Sequence, residues 1–197
     1  MPPISTHMHF GKIFIENTDD DIDIPSFIMG IVYPDTINDE DFEEVHSLDE
    51  DGNIDVREFY EQFDFKRLNL IQKSFVLGYY CHIWFEEYYK FNASKLIVHN
   101  NLELNDEELS AGVKNILRYY DDKAIGSYYD KIKIQIKEYN TNLNLKELDS
   151  DSIKLTKDKI LKYFKETSPK NVYLQLIEED EYVKFIFNSY RKIIKSL

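Results

Sequence analysis

The stretch FVLGYYCHIWFE, residues 75–86, decides the fold of this chain, because it is a long apolar run with one histidine and one glutamate. On a helix, His82 and Glu86 lie one turn apart on the same face and can bind one metal ion together. Gly78 lies one turn before His82 on that face and leaves space there. Imidazole and carboxylate groups rarely enter an apolar helix without a partner that offsets their desolvation. The stretch therefore predicts either a metal site or a core histidine hydrogen-bonded to a neighbouring carboxylate.

The composition predicts an all-α protein. The chain has 197 residues, of which 43% are hydrophobic and 31% charged, and this suits one globular domain with a sizeable core. Only 6 glycines and 5 prolines are present, fewer than the many turns of an all-β protein require. We therefore expect a single-domain multi-helix bundle over residues 1–197, with a metal-site half at 1–100 and a helical scaffold half at 101–197.

The net charge of −13 disfavours nucleic acid and anionic lipid as main partners, although a bound cation can locally attract an anionic substrate. Cys81 is the single cysteine, which excludes an intrachain disulfide and a zinc–thiolate cluster. The first residues do not resemble a signal peptide, and the apolar runs are shorter than the ~20 residues of a membrane-crossing helix. We therefore expect a cytoplasmic protein without stable membrane anchoring, and we leave its oligomeric state open.

Helical periodicity and capping residues predict most of the elements. Ser5 and Thr6 are expected to cap the first helix, and Pro34 to end the second. Asn105 is expected to cap the first helix of the second half. The other helices are predicted at 26–32, 39–46, 56–63, 66–91, 105–120, 125–139, 157–166 and 178–194. We expect the second half to pack around the first.

Five side chains of the first half have the chemistry of metal ligands. All five histidines lie in this half. His7 begins a predicted helix, His46 ends one and His82 lies in the middle of one. Zinc and similar ions accept mixed imidazole and carboxylate ligands. We assign His9 and His99 to surface or boundary positions and leave them out. The candidate ligands are His7, Asp35, His46, His82 and Glu86.

A second metal motif overlaps this half. Residues 47–58, SLDEDGNIDVRE, resemble an EF-hand calcium loop, with acids at loop positions three, five and nine, glycine at six and glutamate at twelve. Ser47 replaces the usual aspartate at position one, which weakens calcium binding. The alternative interpretation is a turn that caps the helix after it. A calcium titration separates the two.

Four sequence blocks of this half occur together in one known family. They are STH at 5–7 before Phe10 and Gly11, PSFIMG at 25–30 leading into Pro34 and Asp35, His46 followed by DGNID at 51–55, and FVLGY at 75–79 leading to His82 and Glu86. In that order they resemble the bacterial zinc-dependent phospholipase C-like family, in its cytosolic branch, over residues 4–92. The resemblance implies an all-α fold with the five candidate ligands on facing helices. Because this chain has one His-x-x-x-acid pair, the ligand set suits one zinc ion, or two.

The function expected from these residues is metal-dependent hydrolysis of a small-molecule phosphoester or phospholipid-like substrate. The metal, zinc or another divalent ion, would activate water, and Asp35 would complete the ligand shell or act as general base. The alternatives are a non-catalytic helical protein with a structural metal or an interaction role, and a calcium-binding protein through residues 47–58.

Overall fold

The computed structural model describes residues 1–37, 55, 59, 61–98, 104–146, 148–166, 168–169 and 172–196. These residues form helices and no strand, which confirms the predicted all-α class. Short 3-10 helices cover Pro34–Thr36 and Ala93–Leu96. The α-helices are α1 (Ile4–Asn17), α2 (Ile24–Val32), α3 (Leu70–Asn92), α4 (Asp106–Glu138), α5 (Ser150–Tyr163) and α6 (Glu179–Ile193). The predicted helix at 39–46 and half of the predicted helix at 56–63 fall outside the described residues.

Helices α2 and α3 form the most extensive helix pair among the described elements. Two glycines allow it: a side chain on Gly30 would overlap the backbone carbonyl of Phe75, and one on Gly78 the backbone carbonyl of Phe27. Backbone therefore packs directly against backbone at this crossing, as it can only where a Cβ atom is absent. The space predicted beside Gly78 is filled by helix α2.

The helix starts follow their capping residues, with one correction. Asp23 accepts a hydrogen bond from the Ser26 backbone at the start of α2, and Asn69 forms a capping box at the start of α3. The prediction that Ser5 and Thr6 cap α1 is wrong. Helix α1 begins at Ile4, and both hydroxyl residues lie fully buried in its first turn.

The second half contains a longer helix than predicted. Asn105 caps it as expected, but α4 runs unbroken for 33 residues, where two helices were predicted. The intervening residues 121–124 include neither proline nor glycine, so nothing in them ends a helix. Helices α4 and α6 both pack against α1, and α5 packs against α2 and the Pro34–Thr36 turn. Helices of the second half thus pack against helices of the first. Among the described helices, none is both long and apolar enough to cross a membrane.

Candidate metal centre

Four of the five predicted ligands meet in the fold. His7 comes from α1, Asp35 from the 3-10 turn after α2, and His82 and Glu86 from α3. One donor atom from each of the four lies within 4.8 Å of the donor atoms of the others. The fifth predicted ligand, His46, lies outside the described residues, as does the EF-hand-like loop 47–58 except for Asp55. The ligand role of His46 and the calcium loop both remain predictions.

The close crossing of α2 and α3 fixes His82. One turn beyond Gly78, the ring reaches the carbonyl oxygen of Ile31 in the last turn of α2, with Nδ1 at 2.9 Å. Carbonyls in the last turn of a helix have no intrahelical partner, so this oxygen can accept from the side chain. Because a carbonyl only accepts, Nδ1 carries the proton, and Nε2 carries the lone pair that a metal ligand needs. Nε2 lies 4.0 Å from Oε1 of Glu86.

His7 is buried in an unusual setting. Its ring stacks on His82 with centroids 4.0 Å apart and planes 14° apart, and Phe85 covers it edge-on. The side chain is fully buried, yet neither ring nitrogen has a hydrogen-bond partner among the described residues. Its Nε2 lies 3.6 Å from Oε1 of Glu86, at ion-pair distance. A buried polar atom left without a partner costs about 1–3 kcal/mol, a cost that a metal–ligand bond would remove.

The donor set fits a divalent cation in geometry and in charge. Metal–ligand bonds of about 2.1 Å place the donor atoms of a tetrahedral zinc shell roughly 3.4 Å apart. The two contacts of Glu86 to the histidines, at 3.6 Å and 4.0 Å, are close to that spacing. Two neutral imidazoles and two carboxylates carry a charge of −2, which a divalent ion balances. The histidines are buried, whereas the side chain of Glu86 is 13% exposed and Asp35 is half-buried.

Helix α5 of the second half holds the turn that carries Asp35. The ammonium of Lys159 donates a hydrogen bond to the backbone carbonyl of Asp35. One turn earlier, the hydroxyl oxygen of Thr156 lies 2.8 Å from that of Thr36. Sequence reasoning missed both contacts, since the partners are more than a hundred residues apart and one of them is a backbone atom.

A second buried polar cluster lies on the other side of α1, and it corrects the prediction for His9. The side chain of His9 is 5% exposed, and its Nδ1 lies 2.9 Å from Oδ1 of Asp121. Asp121 is fully buried and also accepts hydrogen bonds from Thr6 at 2.7 Å and from Tyr182 at 2.6 Å. Burial, together with the charge of Asp121, raises the pKa of Tyr182 well above its usual value and keeps the phenol a donor. These four residues, from α1, α4 and α6, are called the Asp121 cluster below.

A sequence signal for Asp121 was present. Leu117, Asp121 and Ile125 follow one another at intervals of four residues, and all three are fully buried on one face of α4. An acid in the middle of such an apolar stripe indicates a buried carboxylate with partners. The signal was lost because the predicted helix ended at residue 120, one position before it.

Comparisons with protein-family models, with curated proteins and with solved structures found no significant match for this chain.

Proposed function

We propose that this protein is a metal-dependent hydrolase whose substrate is a phosphoester. One observation carries the proposal: two histidines and two acids from three separate segments bring four donor atoms within 4.8 Å of one another. The four residues are among the five expected from the resemblance to the zinc-dependent phospholipase C-like family, whose helical bundle we propose as the fold type. Zinc, as one ion or two, suits such mixed nitrogen and oxygen donors.

The proposed chemistry assigns a task to each side chain. A divalent cation bound here would lower the pKa of a coordinated water toward about 7 and polarise a phosphoryl oxygen. His82 is fixed by the Ile31 carbonyl with its Nε2 lone pair toward the cluster, and His7 stacks on it. Glu86 lies between the two rings and supplies a carboxylate oxygen. Asp35, on its separate turn, completes the shell or accepts a proton from the attacking water.

Metal analysis tests the proposal first. Protein purified without chelator, or dialysed against zinc, should contain at least one divalent ion per chain, and Glu86→Gln should lose it. Glu87→Gln is the matched control, because it removes a neighbouring carboxylate on the same helix that is not part of the cluster. Absence of metal uptake by the wild-type protein would falsify the mechanism.

Activity is measured on the metal-loaded protein. p-Nitrophenyl phosphate and bis(p-nitrophenyl) phosphate report phosphomonoester and phosphodiester hydrolysis. We expect turnover of at least one of them by the wild type and by Glu87→Gln, and at least a hundredfold less by Glu86→Gln, because the loss of one ligand removes the metal.

A structural metal is the second candidate, and the burial of the site favours it. Both histidines are fully buried, and four protein donors are enough to close a tetrahedral zinc shell. Cobalt substitution distinguishes the two. A closed shell should give a visible absorption spectrum that does not respond to azide or phosphate, whereas a site with an open position should respond to both.

A further inference from the structure

We propose that Lys159 binds the anionic group of the substrate, so that the site takes a phosphate ester that carries negative charge. The inference rests on the proposed hydrolase function and deepens it, since it names a substrate-binding residue and the charge of the substrate. It assigns a chemical role to the second half of the chain.

The position of the ammonium group is the first argument. Lys159 donates to the backbone carbonyl of Asp35, the same residue whose carboxylate belongs to the four-residue cluster. The ammonium and the cluster are therefore separated by little more than the length of one aspartate side chain. An ammonium has three N–H donors, and the carbonyl uses one of them. The other two can reach an oxygen of a ligand held at the cluster.

The second argument is that no acid neutralises this lysine. Among the described residues, no carboxylate oxygen lies within the 4.0 Å ion-pair distance of Lys159, although the chain has 37 acids and 24 lysines and arginines. Lys123 and Lys184, in contrast, each lie 2.7 Å from a glutamate. A half-buried cation beside a metal cluster in so acidic a protein retains its full charge for a ligand.

Charge arithmetic gives the substrate class. The two carboxylates of the cluster contribute −2 and a divalent ion +2, so the loaded cluster is neutral. Lys159 then makes the centre positive by one charge. An anionic phosphoryl group is attracted there and repelled elsewhere by the net charge of −13, whereas a neutral ester gains nothing from the lysine.

Helix α5 holds this lysine firmly. Thr156 and Lys159 are three residues apart and lie on one face of the helix, and both contact the Pro34–Thr36 turn. Thr156 is fully buried against Thr36. The lysine therefore starts from an ordered position, which reduces the conformational entropy that a ligand must overcome.

The test compares two lysines of one helix. Lys159→Gln removes the proposed anion contact, and Lys157→Gln is the control, since Lys157 also donates to a backbone carbonyl, that of Tyr139 at 2.8 Å, but away from the cluster. Each protein is loaded with cobalt and titrated with inorganic phosphate by calorimetry and visible absorption. We expect Lys159→Gln to weaken phosphate binding about tenfold or more, Lys159→Arg to retain most of it, and Lys157→Gln to leave it unchanged.

The readouts separate this inference from the function on which it rests. If the wild type takes up no metal, the hydrolase proposal fails and this one with it. If the wild type takes up metal but does not bind phosphate, the shell is closed, and both proposals fail. If the wild type binds phosphate and Lys159→Gln binds it as well as the wild type, only the lysine proposal fails. A Lys159→Gln protein with weakened cobalt affinity but unchanged phosphate affinity would show that the lysine merely positions Asp35, and that result also overturns the proposal.

Discussion

Helix α1 carries two buried histidines, two residues apart, whose surroundings differ. His9 faces the Asp121 cluster, where a buried carboxylate accepts three hydrogen bonds. His7 belongs to the cluster of His7, Asp35, His82 and Glu86, where among the described residues neither of its ring nitrogens is hydrogen-bonded. A buried network whose polar groups are all hydrogen-bonded stabilises a fold, while a buried imidazole with an unused lone pair is a potential metal ligand. The comparison leads us to expect that the residues around His9 stabilise the fold and that the residues around His7 bind a metal.

The largest change in stability is expected from removing the carboxylate at the centre of the Asp121 cluster. Asp121→Ala leaves three buried donors without an acceptor and should lower the free energy of unfolding of the metal-free protein by about 3–5 kcal/mol. Asp130→Ala is the control on the same helix, because Asp130 is exposed, and its loss should change stability by less than about 0.5 kcal/mol. Urea unfolding followed by circular dichroism measures both. Equal, small effects would mean that the Asp121 cluster does not stabilise the fold.

Zinc bound at the cluster of His7, Asp35, His82 and Glu86 should raise the free energy of unfolding by a slightly smaller amount. A ligand that binds only the folded state at 100 to 1,000 times its dissociation constant adds about 3–4 kcal/mol to the free energy of unfolding. We expect this gain in the wild type and in Glu87→Gln, and none in Glu86→Gln. Urea titrations with and without zinc provide the measurement. A gain of the same size in Glu86→Gln would place the bound zinc elsewhere on the protein.

The two histidines can be compared directly by the same substitution. In the metal-free protein, His9→Leu removes a donor from a buried carboxylate and should destabilise by about 2–3 kcal/mol. His7→Leu replaces an imidazole that has no hydrogen bond to any described residue by an apolar group of similar size, and should be neutral or stabilise by up to about 1 kcal/mol.

Zinc should reverse this order. It should raise the free energy of unfolding of His9→Leu as it does that of the wild type, and it should not raise that of His7→Leu. Urea unfolding of both variants, with and without zinc, gives the four values. A large loss for His7→Leu in the absence of metal would mean that this ring stabilises the fold by itself.

The sequence predicted the convergence of His7, Asp35, His82 and Glu86 better than it predicted the Asp121 cluster, for a physical reason. His82 and Glu86 are linked by helical spacing, which is a local property, and Asp35 was marked by the proline before it. The convergence of His7 with them was expected from the resemblance, not from spacing. The apolar stripe that contains Asp121 was visible, but its partners on α1 and α6 depend on tertiary packing, which spacing along the chain does not encode.

Errors at helix boundaries had direct consequences for the functional interpretation. Ending a helix at residue 120 concealed Asp121, and treating Thr6 as a cap concealed a hydroxyl that donates to it. Lys159 had no sequence signal at all, because its partner is a backbone carbonyl in the other half of the chain. Contacts between side chain and backbone over such separations become visible only in the folded structure.

Tyr182 gives the smallest expected effect and the most specific test of the Asp121 cluster. Tyr182→Phe removes one of the three donors to Asp121 and should cost about 1.5 kcal/mol at pH 7. The native pKa of this phenol is raised by burial and by Asp121 above its unfolded value of about 10. Below pH 10 the phenol is protonated in both states and its contribution is complete. Above pH 10 the unfolded chain releases the proton first, so this contribution falls as the pH rises.

The difference between wild type and Tyr182→Phe should therefore shrink by about 1.4 kcal/mol for each pH unit above 10, and be close to zero near pH 11. The other buried tyrosines titrate in both proteins and cancel in the comparison. Urea unfolding at pH 7, 9, 10 and 11 gives the four differences. If the difference stays constant across this range, the Tyr182 phenol is not the buried donor to Asp121 that the geometry describes. Asp121 would then accept fewer hydrogen bonds than the contrast between the two faces of α1 assumes.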